Sequence, residues 1–162
     1  METEHHGFSE RPNRFPWPPV IYAIALVAGW PLGHFLPLPW IGGMANEVLF
    51  AVGFLMIAGA IGIDVAAMTT MQRTRTTILP HRKAEHLVTK GVFAVSRNPI
   101  YVANTMLVIG AGFISGIVWY FPLAFIAAYL TQKLAIEREE KHLESRFGKY
   151  YRDYKKRVNR WI

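Results

Sequence analysis

Two short stretches hold the residues whose types and spacing suit chemistry. The first runs Glu85-His86-Leu87-Val88-Thr89-Lys90-Gly91-Val92-Phe93-Ala94-Val95-Ser96-Arg97-Asn98-Pro99-Ile100-Tyr101, and the second is Glu137-Arg138-Glu139-Glu140 with His142 close behind. Pro99 suits the first turn of a helix, where its missing N–H would have no partner anyway, so Arg97 and Asn98 fall beside free backbone donors at a positive helix end. Such a place attracts a carboxylate or phosphate. The plainer reading is an arginine anchored to lipid phosphate ahead of an ordinary helix start. In the second stretch Glu137 and Lys141 stand four apart, a common pairing on a solvated helix face. Three carboxylates at the C-terminal end of an apolar helix nonetheless oppose its dipole, and a bound cation would explain them.

Other chemistries drop out. Glu139 and His142 match the Glu-x-x-His unit of di-iron bundles, but such sites need two units and two further carboxylates, and the chain holds one copy. The 6 histidines form no metal-binding cluster by spacing, and His5, His6 and His34 have no partner pattern. With no cysteine there is no disulfide scaffold, thiolate zinc site, iron–sulfur centre or thiolate nucleophile. Phosphate-loop, dinucleotide-binding and Gly-x-Ser-x-Gly signatures are absent.

The elements that must position these stretches follow from where charge is missing. The chain has 162 residues, enough for one domain, with 52% hydrophobic and only 18% charged side chains. A net charge of +7 invites a nucleic-acid reading, yet no Lys or Arg occurs between Arg14 and Arg73 or between Arg97 and Lys133. Both gaps are apolar and each is long enough to cross a hydrocarbon core of about 30 Å, so a membrane replaces nucleic acid as the expected partner. The pattern predicts an all-α integral membrane bundle of about four transmembrane helices with a cytoplasmic amphipathic helical tail. Its parts are a cytoplasmic N-terminus (1–17), two spans (18–36 and 46–68), a cytoplasmic loop (69–98), a helical hairpin (99–136) and the tail (137–162). Pro31 should kink or shorten the first helix, Asn46 should cap the second, Ser115, Gly116 and Pro122 mark the hairpin turn, and Gly148 interrupts the tail.

All basic blocks then lie on one side, which the positive-inside rule makes cytoplasmic, and that basic face should attract anionic lipids. The polar, mixed-charge first 16 residues lack the pattern of a cleaved signal peptide, so the first helix is expected to be retained, with both termini cytoplasmic. Asp64 falls roughly 25 Å along the second helix, near the cytoplasmic interface, where a snorkelling or hydrogen-bonded role outweighs one lining the site.

Leu87 to Tyr101, followed some 40 residues on by Glu139-Glu140-Lys141-His142-Leu143 and then Phe147-Gly148-Lys149-Tyr150-Tyr151-Arg152-Asp153-Tyr154-Lys155-Lys156-Arg157-Val158, resembles the isoprenylcysteine carboxyl methyltransferase family. The shared pattern is a glycine, Arg-His-Pro-x-Tyr, a helical hairpin, Glu-Glu, and Phe-Gly-x-x-Tyr-x-x-Tyr-x-x-x-Val, over about half the chain. The resemblance implies an integral-membrane methyltransferase that takes S-adenosylmethionine from the cytosol and a lipophilic small-molecule or lipidated substrate sideways from the bilayer. Its cofactor contacts carry over to Glu85, His86, Leu87, Val88, Phe93, Asn98, Pro99, Ile100, Tyr101 and Glu139. Phe93 stands where eukaryotic members have Tyr, Asn98 where His is usual, and Ala135 where an acceptor-associated Arg is expected.

The residue chemistry agrees, since Glu139 and Glu140 suit the cofactor's positive groups and Arg97 its carboxylate. Arg97 and Glu140 are the expected catalytic residues, with Glu140 or Tyr101 taking a proton if the acceptor is an amine. An isoprenylcysteine-like carboxylate is the leading acceptor and a phosphatidylethanolamine amine the runner-up. Outside this class stand a NADPH-dependent membrane reductase and a non-enzymatic membrane scaffold. The chain reads as a small bacterial protein of the cytoplasmic membrane.

Overall fold

The computed structural model describes residues 17–73 and 87–162, and all regular structure among them is helical. The helices are α1 (Trp17–Phe35), α2 (Met44–Arg73), α3 (Pro99–Ser115), α4 (Tyr120–Thr131), α5 (Glu137–Phe147) and α6 (Lys149–Arg157). A short 3-10 turn, Gly91–Ala94, precedes α3, and a π-helical segment, Gln132–Ile136, leads from α4 straight into α5.

Several boundaries follow from the residues that make them. Pro99 opens α3, as its fixed geometry favours, and Gly116 closes it in the left-handed region at φ 68°. Gly148, at φ 52° and ψ −120°, separates α5 from α6, so the tail is two short helices. Other boundaries depart from expectation. α1 keeps the expected extent, to Phe35, but does not stop early at Pro31, because a proline this near the end deprives the helix of one bond in its last turns only. α2 begins at Met44, before Asn46, whose side chain accepts the Trp40 indole N–H at 2.7 Å instead of capping. It also continues past residue 68 to Arg73, where the hydroxyls of Thr69 and Thr70 turn back to the carbonyls of Val65 and Ala66.

α3 is the centre of the packing, with α2 along one side and α1 and α4 on the other. Backbone nearly touches backbone at Gly53 and Gly110: a Cβ on Gly53 would stand 2.8 Å from the Gly110 carbonyl oxygen and 2.7 Å from Phe113 Cβ. Small residues permit such an approach where lipid-like surroundings provide little hydrophobic drive between helices. On the other side Tyr22, Ala25, Val108, Tyr120, Ala124 and Ala127 form the main core. A second cluster, Tyr151, Tyr154 and Val158 with Leu87, Leu143 and Phe147, docks α5 and α6 onto the segment that precedes α3.

Two helices, α1 and α2, are long and apolar enough to cross a membrane, and α3 is apolar but shorter. The most apolar window of α2 is only 11% buried. Phe50, Phe54, Leu55, Ile61, Val65 and Met68 on it are all exposed, which distinguishes it from the core helix of a soluble protein and requires an apolar surrounding.

Candidate functional site

The segment from Leu87 to Asn98, the first turn of α3, the start of α5 and the C-terminal residues after α6 converge on Glu140. Its side chain is 10% exposed and meets two guanidinium groups. Arg160 grips it bidentately, Nε to Oε1 at 3.0 Å and Nη2 to Oε2 at 2.7 Å. Arg97 reaches it through one nitrogen, Nη2 to Oε1 at 3.1 Å. The Arg97 side chain is likewise 10% exposed, and its Nε and Nη1 are buried without a hydrogen-bond partner. Buried donors left without an acceptor are costly, and an anion is the partner that these two suit.

The backbone here is fixed by the last residues of the chain. Ser96 and Asn159 form a parallel bridge, and the Arg97 N–H donates to the Asn159 carbonyl at 3.0 Å. The Asn98 amide donates to the Arg160 carbonyl at 2.9 Å, and the Trp161 indole to Gln132 Oε1 at 2.9 Å. Tyr154 donates its hydroxyl proton to the Phe93 carbonyl. Tyr151 and Tyr154 lie near Arg97, and burial raises both phenols above their usual range, which keeps them neutral hydrogen-bonding groups. Expected anion binding by the α3 N-terminus itself needs correction. Two of the three N–H groups in its first turn, those of Tyr101 and Val102, already donate to the Asn98 carbonyl, so the open donors belong to Arg97.

The π segment places the acidic residues. Its wider turn shifts the phase of α5 as a whole relative to α4, and the ordinary step of about 100° per helical residue then sends consecutive carboxylates to different partners. Glu137 pairs with Lys133 at 2.7 Å, in place of the expected Lys141. Glu140 turns to the arginines, while Glu139 receives a hydrogen bond from the Tyr101 hydroxyl. Glu139 has an exposed surface, yet enough protein surrounds its carboxyl that desolvation dominates its proton affinity. Burial first, and the neighbouring Glu140 charge second, push its carboxyl up to about 7, with the Tyr101 hydrogen bond opposing them.

Below this pair lies a polar knot between helices. The Tyr22 hydroxyl is 2.7 Å from Thr105 Oγ1 and 3.3 Å from the Tyr101 carbonyl oxygen, and Thr131 stands close to it. Of the other sequence-expected positions, Pro99 is buried, Leu87, Val88 and Ile100 are half-buried, and Glu85 and His86 lie outside the described residues. Asp64 shares a face of α2 with the fully buried Ala60 and Ala67, towards α3, and its Oδ1 is buried without a hydrogen-bond partner. Tyr101 looks to the opposite side of α3, so Asp64 and Glu139 do not share one wall.

Sequence reasoning missed Arg160, Asn159 and Trp161, and it missed Tyr22. One signal was present for the first: three uncompensated carboxylates called for a cation, and for Glu140 that cation is a side chain of the tail.

The profile of one family, described as phospholipid methyltransferase, matches residues 48–150, from the first turns of α2 into α6. The chain belongs to the phospholipid methyltransferase family. No curated protein matches it. This is the family of membrane methyltransferases related to the isoprenylcysteine carboxyl methyltransferases that the loop and tail motifs resemble, and methyl transfer is its general chemistry. In this phospholipid methyltransferase family member, Arg97, Asn98, Tyr101, Glu139 and Glu140 all lie within the matched residues, whereas Tyr22 and Arg160 lie outside them.

Proposed function

We propose that the chain is an integral-membrane methyltransferase that uses S-adenosylmethionine and methylates a lipophilic acceptor. The observation that supports this best is a pair of opposed groups in one cluster: Arg97 with two buried donors lacking an acceptor, and the neighbouring Glu139, a carboxyl that no basic side chain pairs among the described residues of this cluster and that the Tyr101 hydroxyl meets. The methionine part of the cofactor presents a carboxylate and an ammonium, which those two groups match in sign and hydrogen-bonding capacity. When bound, the cofactor supplies a methyl group on a cationic sulfur, and the acceptor displaces it in line.

Each residue then has a task. Arg97 holds the carboxylate, and Glu140 holds Arg97. Glu139 receives the ammonium and Tyr101 orients Glu139. Asn98, Pro99, Ile100, Phe93, Leu87 and Val88, with Glu85 and His86 ahead of them, form the remaining contacts. Their apolar members exclude water, which strengthens every charge contact in the site. A carboxylate near the sulfonium would favour the ground state, which loses its charge in transfer, so Glu139 belongs at the amino-acid end.

In the same reading α1, α2 and the α3–α4 hairpin cross the bilayer, with residues 69–98, residues 137–162 and both termini on the cytoplasmic face of a bacterial cytoplasmic membrane. The exposed Arg146, Lys149, Arg152, Lys156 and Arg157 would then rest among anionic lipid head groups, with the acceptor entering from the bilayer.

The leading acceptor is an isoprenylcysteine-like carboxylate. Such an acceptor needs no base, and Glu140, the expected base, is already paired to two guanidiniums. A phospholipid amine is the second reading, favoured by the family's description. Membranes containing the chain, given methyl-labelled cofactor, a phosphatidylethanolamine extract and a farnesylcysteine analogue, separate the two. Base-labile label in the prenyl compound supports the carboxylate. Label in mono- and dimethylated phosphatidylethanolamine supports the amine, and label in neither with native membranes overturns the enzyme.

A further inference from the structure

Arg97 contacts Glu140 through a single nitrogen, although a guanidinium beside a lone carboxylate pairs through two, because its parallel N–H donors match the two oxygens. The other oxygen is the one that Arg160 engages most closely. Arg160 Nη2 holds Oε2 at 2.7 Å while Arg160 Nε shares Oε1 at 3.0 Å. Arg160 is itself anchored, since its carbonyl accepts the Asn98 amide and its neighbours Asn159 and Trp161 bond to Arg97 and Gln132. Two donors of a side chain nine-tenths buried are thereby left pointing at no acceptor.

We infer that Arg160 is a positioning residue: by occupying Glu140 it stops Arg97 from closing bidentately on that carboxylate, and so keeps Nε and Nη1 ready for the carboxylate of a bound ligand. In the reading above, on which this inference rests, that ligand group is the amino-acid carboxylate of the cofactor. A residue outside the family-matched stretch 48–150 thus sets the binding capacity of one inside it. Glu140 has a double character here. It orients Arg97 while Arg160 is present and captures it when Arg160 is gone.

The test compares S-adenosylhomocysteine, which has the carboxylate, with methylthioadenosine, which lacks the amino-acid part, on the full chain in detergent by calorimetry. Arg160→Met should weaken S-adenosylhomocysteine about tenfold or more, the scale of a lost charge-assisted hydrogen bond, and methylthioadenosine less than about twofold. Arg160→Lys keeps a charge on Glu140 but satisfies only part of it, and should fall between. Adding Glu140→Gln to Arg160→Met should recover most of the lost affinity, because a neutral amide no longer draws Arg97 in. Equal loss for both ligands, or no recovery in the double variant, overturns the inference and makes Arg160 a fold-supporting residue only. Arg160→Met and Arg160→Lys binding S-adenosylhomocysteine as tightly as wild type does the same. Wild-type chain that binds neither ligand refutes the cofactor reading itself.

Discussion

The Tyr22 hydroxyl stands 2.7 Å from Thr105 Oγ1 and 3.3 Å from the Tyr101 carbonyl oxygen, so α1 is tied to the turn of α3 that presents Tyr101 to Glu139. α1 precedes the family-matched residues, and this knot makes it part of the site's support.

Tyr22→Phe isolates that tie. Thr105 still donates to the Tyr101 carbonyl at 2.8 Å, so no buried donor is stranded by the change. The expected loss is about 1 kcal/mol, that of one net hydrogen bond, with the bundle still folded. Methyl transfer should fall about tenfold, more than the stability change explains, because Tyr101 and Glu139 lose their registration. Parallel thermal unfolding and initial rates in detergent check this, and an unchanged rate would remove Tyr22 from the site.

The helices and their order were legible in the sequence because lipid-facing spans need long uncharged runs, and those runs are visible without any tertiary information. Pro99, Gly116 and Gly148 were legible for a similar reason: each has a local backbone preference that neighbours do not override. The fate of the carboxylates was not. Glu139 and Glu140 are adjacent in sequence and of one type, and what separates them is which partner each meets: the phase of α5 set by the preceding π segment aims them, and an arginine 20 positions downstream takes Glu140. Hydrophobic periodicity reports neither a helix phase shift nor a contact made by an irregular tail. The same applies to Tyr22, an aromatic residue in an apolar span whose hydroxyl partner lies 83 residues away.

Glu139 should make both stability and cofactor binding pH-dependent, in opposite directions. Its carboxyl is raised in the folded chain to about 7 from 4.5. Folding is therefore favoured most below the unfolded value, and that contribution is lost as pH rises through about 7. A ligand ammonium favours the carboxylate, so S-adenosylhomocysteine should bind more tightly as pH rises between about 6 and 8, with proton release near neutrality. Calorimetry in two buffers of different ionisation enthalpy measures that proton. Glu139→Gln should flatten both profiles; a slope that survives the substitution assigns the proton to another group.

Glu140→Ala should be the most damaging single change in the cluster around Arg97. It leaves two guanidiniums facing one another, one of them nine-tenths buried, with no carboxylate between them. Removing one partner of a buried pair costs about 3–5 kcal/mol, and roughly 2–3 is expected here because the Arg160 side chain is 32% exposed. The loss should shrink in Glu140→Ala combined with Arg97→Met, which removes the stranded charge. Denaturant unfolding followed by near-ultraviolet circular dichroism reads both, and additive losses would show that the pair is not coupled.

The α2–α3 contact offers a test of the packing that holds the edge helix. At Gly53 a side chain would have to displace Phe113 and the backbone of Gly110, which no rotamer change accommodates. At Gly62, on the same helix, nothing lies within 4 Å of an added Cβ. Gly53→Leu should therefore push α2 off α3 and lower stability by about 3 kcal/mol or more, towards or beyond the upper end of overpacking costs. Gly62→Leu should be neutral or slightly stabilising, since leucine is the better helix former and meets only the apolar surroundings. Because Asp64 lies on the face that faces α3, displacement of α2 also uncovers the side chain at position 64. A cysteine placed at position 64 with Gly53→Leu should then react faster with a water-soluble maleimide than the same cysteine with Gly53 intact. Equal labelling with equal melting temperatures would show that α2 is not held through Gly53 and Gly110.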